Sequence, residues 1–151
     1  MNKKKQKLPA HNSVPPKSPF KLYGLVIHGK GRGMAVGMPT ANLQIDTKKN
    51  LPKPGVYAAV VYIGDSTYLG VTNVGLRPTV DNSKDITVET IIINFTGDLY
   101  GEYITLELFD FIRPTKKMES LIDVKKQVEK DCKYVEDLFR DTMIWCNVIR
   151  K

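Results

Sequence analysis

The chain has 151 residues, of which 42% are hydrophobic, and a net charge of +7. This length and apolar content suit one domain with one core. Five of the 23 basic residues lie within residues 1–19, which contain no acid, so the rest of the chain is nearly balanced against its 16 acidic residues. The charge therefore gives little support to a nucleic-acid-binding domain, and we expect no nucleic-acid partner.

The sequence shows no signal for export or membrane insertion. The basic start, Met1 to Lys5, is not followed by the apolar segment of a signal peptide, and no run of 18 apolar residues occurs. Cys132 and Cys146 have neither a CxxC spacing nor a histidine pair nearby, so we expect reduced thiols rather than a zinc site or a disulfide. These features predict a cytoplasmic protein with no membrane partner.

Residues 1–19 are predicted to be a disordered basic tail, because prolines interrupt them and apolar periodicity is absent. The folded domain is expected to span residues 20–151. The tail could contact RNA or an anionic surface, but a charge run of this kind is more often only solvated.

From Phe20 onward the pattern predicts short strands followed by one helix. The predicted strands are residues 22–28, 41–45, 56–63, 67–73, 86–95 and 102–112, with a loop over 75–84. Strands joined by turns without intervening helices favour an antiparallel sheet closed as a barrel. Ser120 can cap a helix whose apolar stripe should pack on the barrel; the stripe comprises Leu121, Val124, Val128, Cys132, Val135, Leu138 and Phe139.

The segment from Gly29 to Asn42 holds four of the eleven glycines. Closely spaced glycines let backbone amides converge on one point, which is the way proteins bind phosphate. Thr40 and Asn42 add two neutral oxygens of the kind that Mg²⁺ accepts beside phosphates. The segment therefore indicates a site for nucleotide phosphates and a metal ion, and the alternative is a glycine-rich surface loop without a ligand.

Glu89 is the second candidate, because it lies inside the most apolar predicted strand. By alternation it shares a face with Thr87, Ile91, Ile93 and Phe95. A carboxylate on such a face suits a general base that accepts a proton from a substrate. The alternative is an edge-strand glutamate that faces water, which is the commoner arrangement.

Three further segments carry weaker signals. Asp98 to Gly101 has the residues of a hairpin turn, and the segment from Phe109 to Pro114 either lines a pocket for a flat ring or ends a core strand. Arg77 could bind an anion, cap a strand or pair with a surface acid. A P-loop, a Rossmann fingerprint and a histidine-based catalytic or metal cluster are all excluded by the absence of their spacings.

Taken in order, several of these motifs resemble the riboflavin kinase (flavokinase) family, as in the C-terminal kinase module of bacterial bifunctional riboflavin kinase/FAD synthetases. The matching segments cover about residues 20–140; they are Gly29–Asn42 with its Pro-Thr-Ala-Asn end, Pro54–Tyr57, Asn73–Thr79, Val88-Glu89, Asp98–Gly101 and Phe111–Arg113.

The resemblance implies a mainly β fold, a six-stranded antiparallel Greek-key barrel with a C-terminal helix packed on it. It implies Mg²⁺-dependent transfer of the ATP γ-phosphate to the 5′-hydroxyl of riboflavin, giving FMN and ADP. By position, Glu89 would be the catalytic base, and Thr40 and Asn42 would hold the metal. The family's nucleotide-binding positions correspond to Gly29, Gly31, Gly33, Thr40, Asn94 and Tyr100, and its flavin-binding positions to Arg113 and Met118.

We expect a monomer whose partners are small-molecule substrates. Bifunctional relatives carry an adenylyltransferase domain before the barrel, whereas only 19 residues precede it here, so we expect FMN and not FAD as the product. The sequence departs from the family pattern at Met34, Ile91 and Met118, which are expected to change affinity rather than abolish activity. The alternative function is a flavin-binding regulator, with RNA contacted through the basic tail.

Overall fold

The computed structural model describes residues 20–29, 39–45, 51–78 and 84–140. The predicted tail, most of the glycine segment and residues 141–151 lie outside these ranges. The described elements are β1 (Phe20–Ile27), β2 (Thr40–Ile45), β3 (Gly55–Ile63), β4 (Ser66–Pro78), β5 (Lys84–Ile92), β6 (Tyr103–Arg113) and α1 (Leu121–Phe139).

The six strands form one closed antiparallel barrel in the order β1-β2-β5-β4-β3-β6. The barrel closes because β1 pairs with both β2 and β6. Strands β3, β4 and β5 follow one another, and β6 returns to lie beside β3, which is the Greek-key connection. The fold predicted through the family resemblance is therefore confirmed.

Alternation along the strands fills the barrel interior with apolar side chains. The interior cluster comprises Leu22, Val26, Ala41, Leu43, Tyr57, Ala59, Val61, Val74, Val88, Ile92, Ile104, Leu106 and Leu108. Two fully buried threonines satisfy each other there, because the Thr72 hydroxyl donates to Thr90 Oγ1 at 2.7 Å. Thr90 in turn donates to the Val71 carbonyl, so both polar groups are buried without an unpaired donor.

Strand β3 is buried on both faces, which accounts for its continuous run of apolar residues. Its outward side chains Val56, Ala58 and Val60 form a second core with Val135 and Phe139 of α1. The helix therefore covers the outer face of β3 and β4, as the apolar stripe predicts.

Ser120 caps α1 as predicted, since its hydroxyl accepts from the backbone N–H of Asp123 at 3.1 Å. The stripe is less uniform than predicted. Leu121 is exposed, and Asp131 is buried on the inner side of the helix between Val128 and Val135. No helix among the residues described is both long enough and apolar enough to cross a membrane.

Two strand ends differ most from the prediction, and each has a physical reason. Strand β4 continues to Pro78 because residues 74–78 pair with β5, although glycine and proline suggested a loop there. Strand β5 ends at Ile92 rather than Phe95, and Asn94 takes a left-handed φ of 64°. The chain therefore turns before Phe95, whose ring packs against the interior core and Tyr68, so the prediction that Phe95 shares the face of Glu89 is wrong.

Candidate active site

Three polar residues form one row across the outer face of the barrel. In the ladders, Glu89 of β5 is opposite Asn42 of β2 on one side and Asn73 of β4 on the other. Residues directly opposite on antiparallel strands point to the same face, with Cβ atoms roughly 4.5–5.5 Å apart. Glu89 therefore has an amide side chain on each side, and the register brings together Asn42 and Glu89, which the sequence predicts as site residues.

A cavity of about 790 Å³ opens on this face between the barrel, the segment 114–120 and α1. Glu89, Asn73 and Thr40 line its barrel side. Val124 and Val128 line its helix side, and Ile91 of β5 adds a further apolar surface. This volume is in the range of pockets that enclose a small organic ligand, and its mixture of apolar walls with a few polar groups is typical of such pockets.

A second cavity of about 360 Å³ lies on the other side of β2. Asn42 and Gly29 line it together with Asp98 and Tyr100 of the segment after β5. Thr40 lines this cavity as well as the larger one. The two cavities therefore adjoin at Thr40, with Glu89 on one side and Asn42 on the other.

The side chains of Thr40, Asn42 and Glu89 have no hydrogen-bond or ion-pair partner within the described ranges. Each is half-buried, so none is a freely solvated surface group. Polar side chains in a cleft that are not committed to the fold are available to a ligand. Thr72 and Thr90 differ in this respect, because their hydroxyls form hydrogen bonds inside the barrel.

Arg113 and Met118 line the larger cavity. The Arg113 guanidinium forms a two-point ion pair with Asp131 of α1, with Nε 3.1 Å from Oδ1 and Nη2 2.8 Å from Oδ2. Gln127 also donates to Asp131 Oδ1, at 3.0 Å. The buried carboxylate is thus fully paired, and the pair joins the end of β6 to the helix at the edge of the cavity.

Of the predicted nucleotide-binding residues, Gly29, Thr40 and Tyr100 lie together around the smaller cavity. A Cβ built on Gly29 would overlap the side-chain amide of Asn42, so the absence of a side chain is what allows Asn42 its position. Asn94 is exposed and is not among the described residues that line either cavity. Gly31 and Gly33 lie outside the described residues.

The Tyr100 ring stacks on the ring of His28, with centroids 3.7 Å apart and planes inclined by 17°. The sequence assigned His28 no role because it has no histidine or acidic neighbour in the chain. The stack places two flat rings at the wall of the smaller cavity.

Sequence reasoning missed two further residues at the site. Asn73 was part of a recognised motif but was given no role, and only its register opposite Glu89 reveals its position. Asp131 could have been found, because a charged residue three positions after Val128 and four before Val135 interrupts the apolar stripe of α1.

The donor set of the site can be compared with what a divalent cation requires. In the part of the chain that is described, no group of three or more histidine, cysteine, aspartate or glutamate side chains could hold a metal ion. Thr40 and Asn42 are two positions apart on β2 and offer neutral oxygens on one face. This set fits Mg²⁺, which keeps waters and takes substrate phosphate oxygens instead of a protein cage.

The fold and the site together define a small Greek-key barrel with two ligand-sized cavities that adjoin at Thr40. A family model described as "Flavokinase: Riboflavin kinase" matches residues 16–139. The chain therefore belongs to the riboflavin kinase family.

Among curated relatives, the bifunctional riboflavin kinase/FMN adenylyltransferase of Listeria monocytogenes is 34% identical over 113 residues, or 75% of this chain and 36% of the relative. The RNA-binding riboflavin kinase RibR of Bacillus subtilis is 35% identical over 118 residues, or 78% of this chain and 50% of that protein. This chain thus spans only about a third to a half of these relatives.

Two solved structures share the fold. A protein from Streptococcus pneumoniae described as a macrolide-efflux protein matches with a TM-score of 0.75 and 32% identity, over 80% of this chain and 39% of that one. Riboflavin kinase from Trypanosoma brucei matches with a TM-score of 0.59 over 83% of each chain, and at 21% identity this likeness concerns the fold alone.

Proposed function

We propose that this protein is a riboflavin kinase that transfers the γ-phosphate of ATP to the 5′-hydroxyl of riboflavin, giving FMN and ADP. The observation that carries the proposal is the junction of two cavities at Thr40, with Glu89 lining one and Asn42 lining the other. A phosphate donor in one cavity and an alcohol in the other would meet at that junction. Family membership supplies the identity of the two substrates.

The smaller cavity is assigned to ATP and the larger to riboflavin. The flat isoalloxazine ring suits the larger cavity, which has apolar walls from Val124, Val128 and Ile91. The phosphates of ATP suit the smaller cavity, because Gly29, the start of the glycine segment, lines it and lets the backbone approach closely.

Glu89 is proposed as the catalytic base. It lines the larger cavity, lies opposite Asn42 in the sheet, and its carboxylate is not used elsewhere in the described structure. In this role it accepts the proton of the 5′-hydroxyl as the oxygen attacks the γ-phosphorus. Phosphoryl transfer depends mainly on positioning and charge neutralisation, so orienting that hydroxyl is the larger part of its contribution.

Thr40 and Asn42 would hold Mg²⁺, which supplies neutralisation of the charge on the phosphate oxygens when it is bound. The protein's own part is to fix these two oxygens on one strand. The packing of Asn42 against Gly29 ties the amide to the start of the glycine segment, and therefore to the proposed phosphate site.

Arg113 and Met118 are proposed to contact the flavin, since both line the larger cavity. Arg113 is held by Asp131, so its guanidinium would serve as a fixed wall of the pocket rather than as a free cation. The segment 114–120 that carries Met118 would then border the bound ring.

The direct test is to incubate the protein with riboflavin, ATP and Mg²⁺ and to separate the flavins by chromatography. Formation of FMN with stoichiometric ADP is the expected result. Adding EDTA is expected to stop the reaction, because the two neutral protein oxygens cannot neutralise the phosphate charge. Binding of riboflavin with no FMN formed would contradict the kinase assignment.

A flavin-binding regulator that contacts RNA is the second candidate. It is favoured by the lysine-rich residues 1–19 and by the relative named as an RNA-binding riboflavin kinase. RNA retention that disappears when Lys3, Lys4, Lys5 and Lys7 are replaced by alanine would support it. Retention unchanged by these replacements would show that the basic segment is not the RNA contact.

A further inference from the structure

We propose that Asn73 determines specificity for the polyol chain of the flavin, by donating hydrogen bonds to hydroxyls next to the one that Glu89 accepts from. This inference rests on the assignment of the larger cavity to riboflavin. It concerns binding, and it can therefore be tested separately from phosphate transfer.

The sheet register places Asn73 where this role requires it. Asn73 of β4 is directly opposite Glu89 of β5, and both side chains line the larger cavity. The neighbouring outward position on β4 is Gly75, which carries no side chain next to the amide; a Cβ there would lie 4.0 Å from Asn73 Nδ2 and 2.9 Å from Thr87 Oγ1. Asn73 is half-buried, and its side chain borders the cavity.

A hydrogen bond from the segment 114–120 fixes the orientation of the amide. The Thr115 hydroxyl donates to Asn73 Oδ1 at 2.7 Å. An amide has one acceptor oxygen and two N–H donors, so this bond commits the oxygen and leaves the NH₂ group. Within the described ranges the NH₂ group has no hydrogen-bond partner, and it is therefore the free donor beside Glu89.

The pair of side chains is complementary to adjacent hydroxyls. An ionised carboxylate only accepts hydrogen bonds, whereas the Asn73 NH₂ group only donates them. In a chain of neighbouring hydroxyls, one can donate to Glu89 while the next accepts from Asn73. Arg113, Lys116 and Lys117 also line this cavity, and Arg113 has its Nε and Nη2 committed to Asp131. Among these donors, Asn73 is the one that lies directly opposite Glu89 in the sheet register.

The same contacts would exist if Asn73 only tied β4 to the segment 114–120. The two roles differ in which ligand they affect. A structural tie supports the whole cavity, including the surfaces that contact the ring. A residue that binds the polyol affects riboflavin and leaves lumiflavin, in which a methyl group replaces the polyol, unchanged.

The experiment is to titrate the protein with riboflavin and with lumiflavin, following flavin fluorescence, for the wild type, Asn73→Ala and Thr115→Val. For Asn73→Ala we expect the Kd for riboflavin to rise roughly 10-fold, the effect of losing about one neutral hydrogen bond or slightly more, while lumiflavin binding changes less than about twofold. For Thr115→Val we expect a smaller rise, roughly two- to threefold, because the donors remain but their orientation is no longer fixed.

The control for folding is the midpoint of urea-induced unfolding, which should be the same for Asn73→Ala and the wild type. Equal weakening of both flavins, or unchanged riboflavin binding in Asn73→Ala, would overturn the proposal. So would a larger effect for Thr115→Val than for Asn73→Ala, which would make Thr115 the contact. If the wild type binds riboflavin but makes no FMN, the kinase assignment fails while the result for Asn73 still stands, and a wild type that binds no riboflavin overturns both.

Discussion

The surroundings of Glu89 are determined by the neighbouring strands rather than by the apolar sequence of its own strand. Its strand is apolar, yet the carboxylate faces a cavity and lies in a row with Asn42 and Asn73. The inner face of the same strand carries Val88 and Thr90, which are buried. Because side chains alternate between the two faces of β5, its outer face carries the carboxylate while its inner face contributes to the core.

Replacing Glu89 by glutamine is expected to lower turnover roughly 10²- to 10⁴-fold, because the variant keeps the shape of the side chain but cannot accept the proton. Riboflavin affinity, measured by fluorescence titration, is expected to stay close to that of the wild type. Glu129→Gln on the exposed side of α1 is the matched control and should leave turnover unchanged. Near-normal turnover in Glu89→Gln would remove Glu89 from the mechanism.

Thr40 matters because two cavities share its side chain. Replacing it by alanine is expected to raise the Mg²⁺ and ATP concentrations needed for half-maximal rate by roughly 10-fold, since one oxygen near the metal is lost. Initial rates over a matrix of both concentrations measure this. Thr67→Ala in the β3–β4 hairpin is the control. A metal dependence identical to that of the wild type would count against Thr40 as a ligand.

Among the elements, two different kinds of contact attach α1 to the barrel. Val135 and Phe139 pack on the outer face of β3, whereas Asp131 binds Arg113 at the end of β6. Asp131 is only 3% exposed, and a buried carboxylate needs partners. Two contacts from Arg113 and one from the amide of Gln127 compensate its negative charge. The ionic contact fixes the part of α1 that borders the larger cavity.

Asp131→Ala is therefore expected to destabilise the protein by about 3–5 kcal/mol, because removing one partner of a buried pair leaves the other without compensation. Urea unfolding followed by circular dichroism measures this. The control is Asp137→Ala, whose partners Lys133 and Arg140 are on the exposed side of α1 and whose loss should cost less than about 1 kcal/mol. Equal midpoints for the two variants would contradict a structural role for the Arg113–Asp131 pair.

The elements also show what local patterns could and could not predict. Alternation and turn residues gave the number and order of strands, and Ser120 gave the start of α1. Residues 75–78 of β4 were predicted as part of a loop because Gly75 and Pro78 disfavour strands, but pairing with β5 overrides that local preference. Asn94 ends β5 through a left-handed conformation that hydrophobic periodicity does not report.

At the scale of the whole molecule, the closed barrel determines which distant residues meet. Asn42, Asn73 and Glu89 lie on three strands that become neighbours only through the Greek-key order. Sequence patterns predict each strand separately but not the register between them, so the role of Asn73 could not be derived from its motif. The pairing of Asn42 with Glu89 was expected only through the family resemblance, and the register now accounts for it.

Global unfolding should respond to pH through Cys132 at the interface of α1 and the barrel. Burial, reinforced by the nearby Glu136, Asp131 and Glu129, raises the pKa of this thiol to about 11 from 9.0. The unfolded chain therefore loses the proton first as the pH rises, so the stabilising contribution is complete below about pH 9 and is lost as the pH approaches 11.

We expect the stability difference between the wild type and Cys132→Ser to shrink between pH 8 and pH 10.5, with both proteins carrying Cys146→Ser so that only one thiol titrates. Urea midpoints over this range measure it. The native thiol should also react slowly with a disulfide reagent at pH 8, compared with the same protein in guanidinium chloride. A difference that grows with pH would show that the thiol is ionised in the folded state.

The position of Thr40 between two cavities has a consequence for the design of ligands. A compound that fills only one cavity loses its translational and rotational freedom on binding, and only the contacts of that cavity offset this loss. A bisubstrate compound, with a flavin-like group joined to a phosphate-bearing group by a linker just long enough to pass Thr40, would make the second binding event intramolecular. Its affinity would then exceed that of either half by roughly 10²- to 10⁴-fold without any contact that the halves lack.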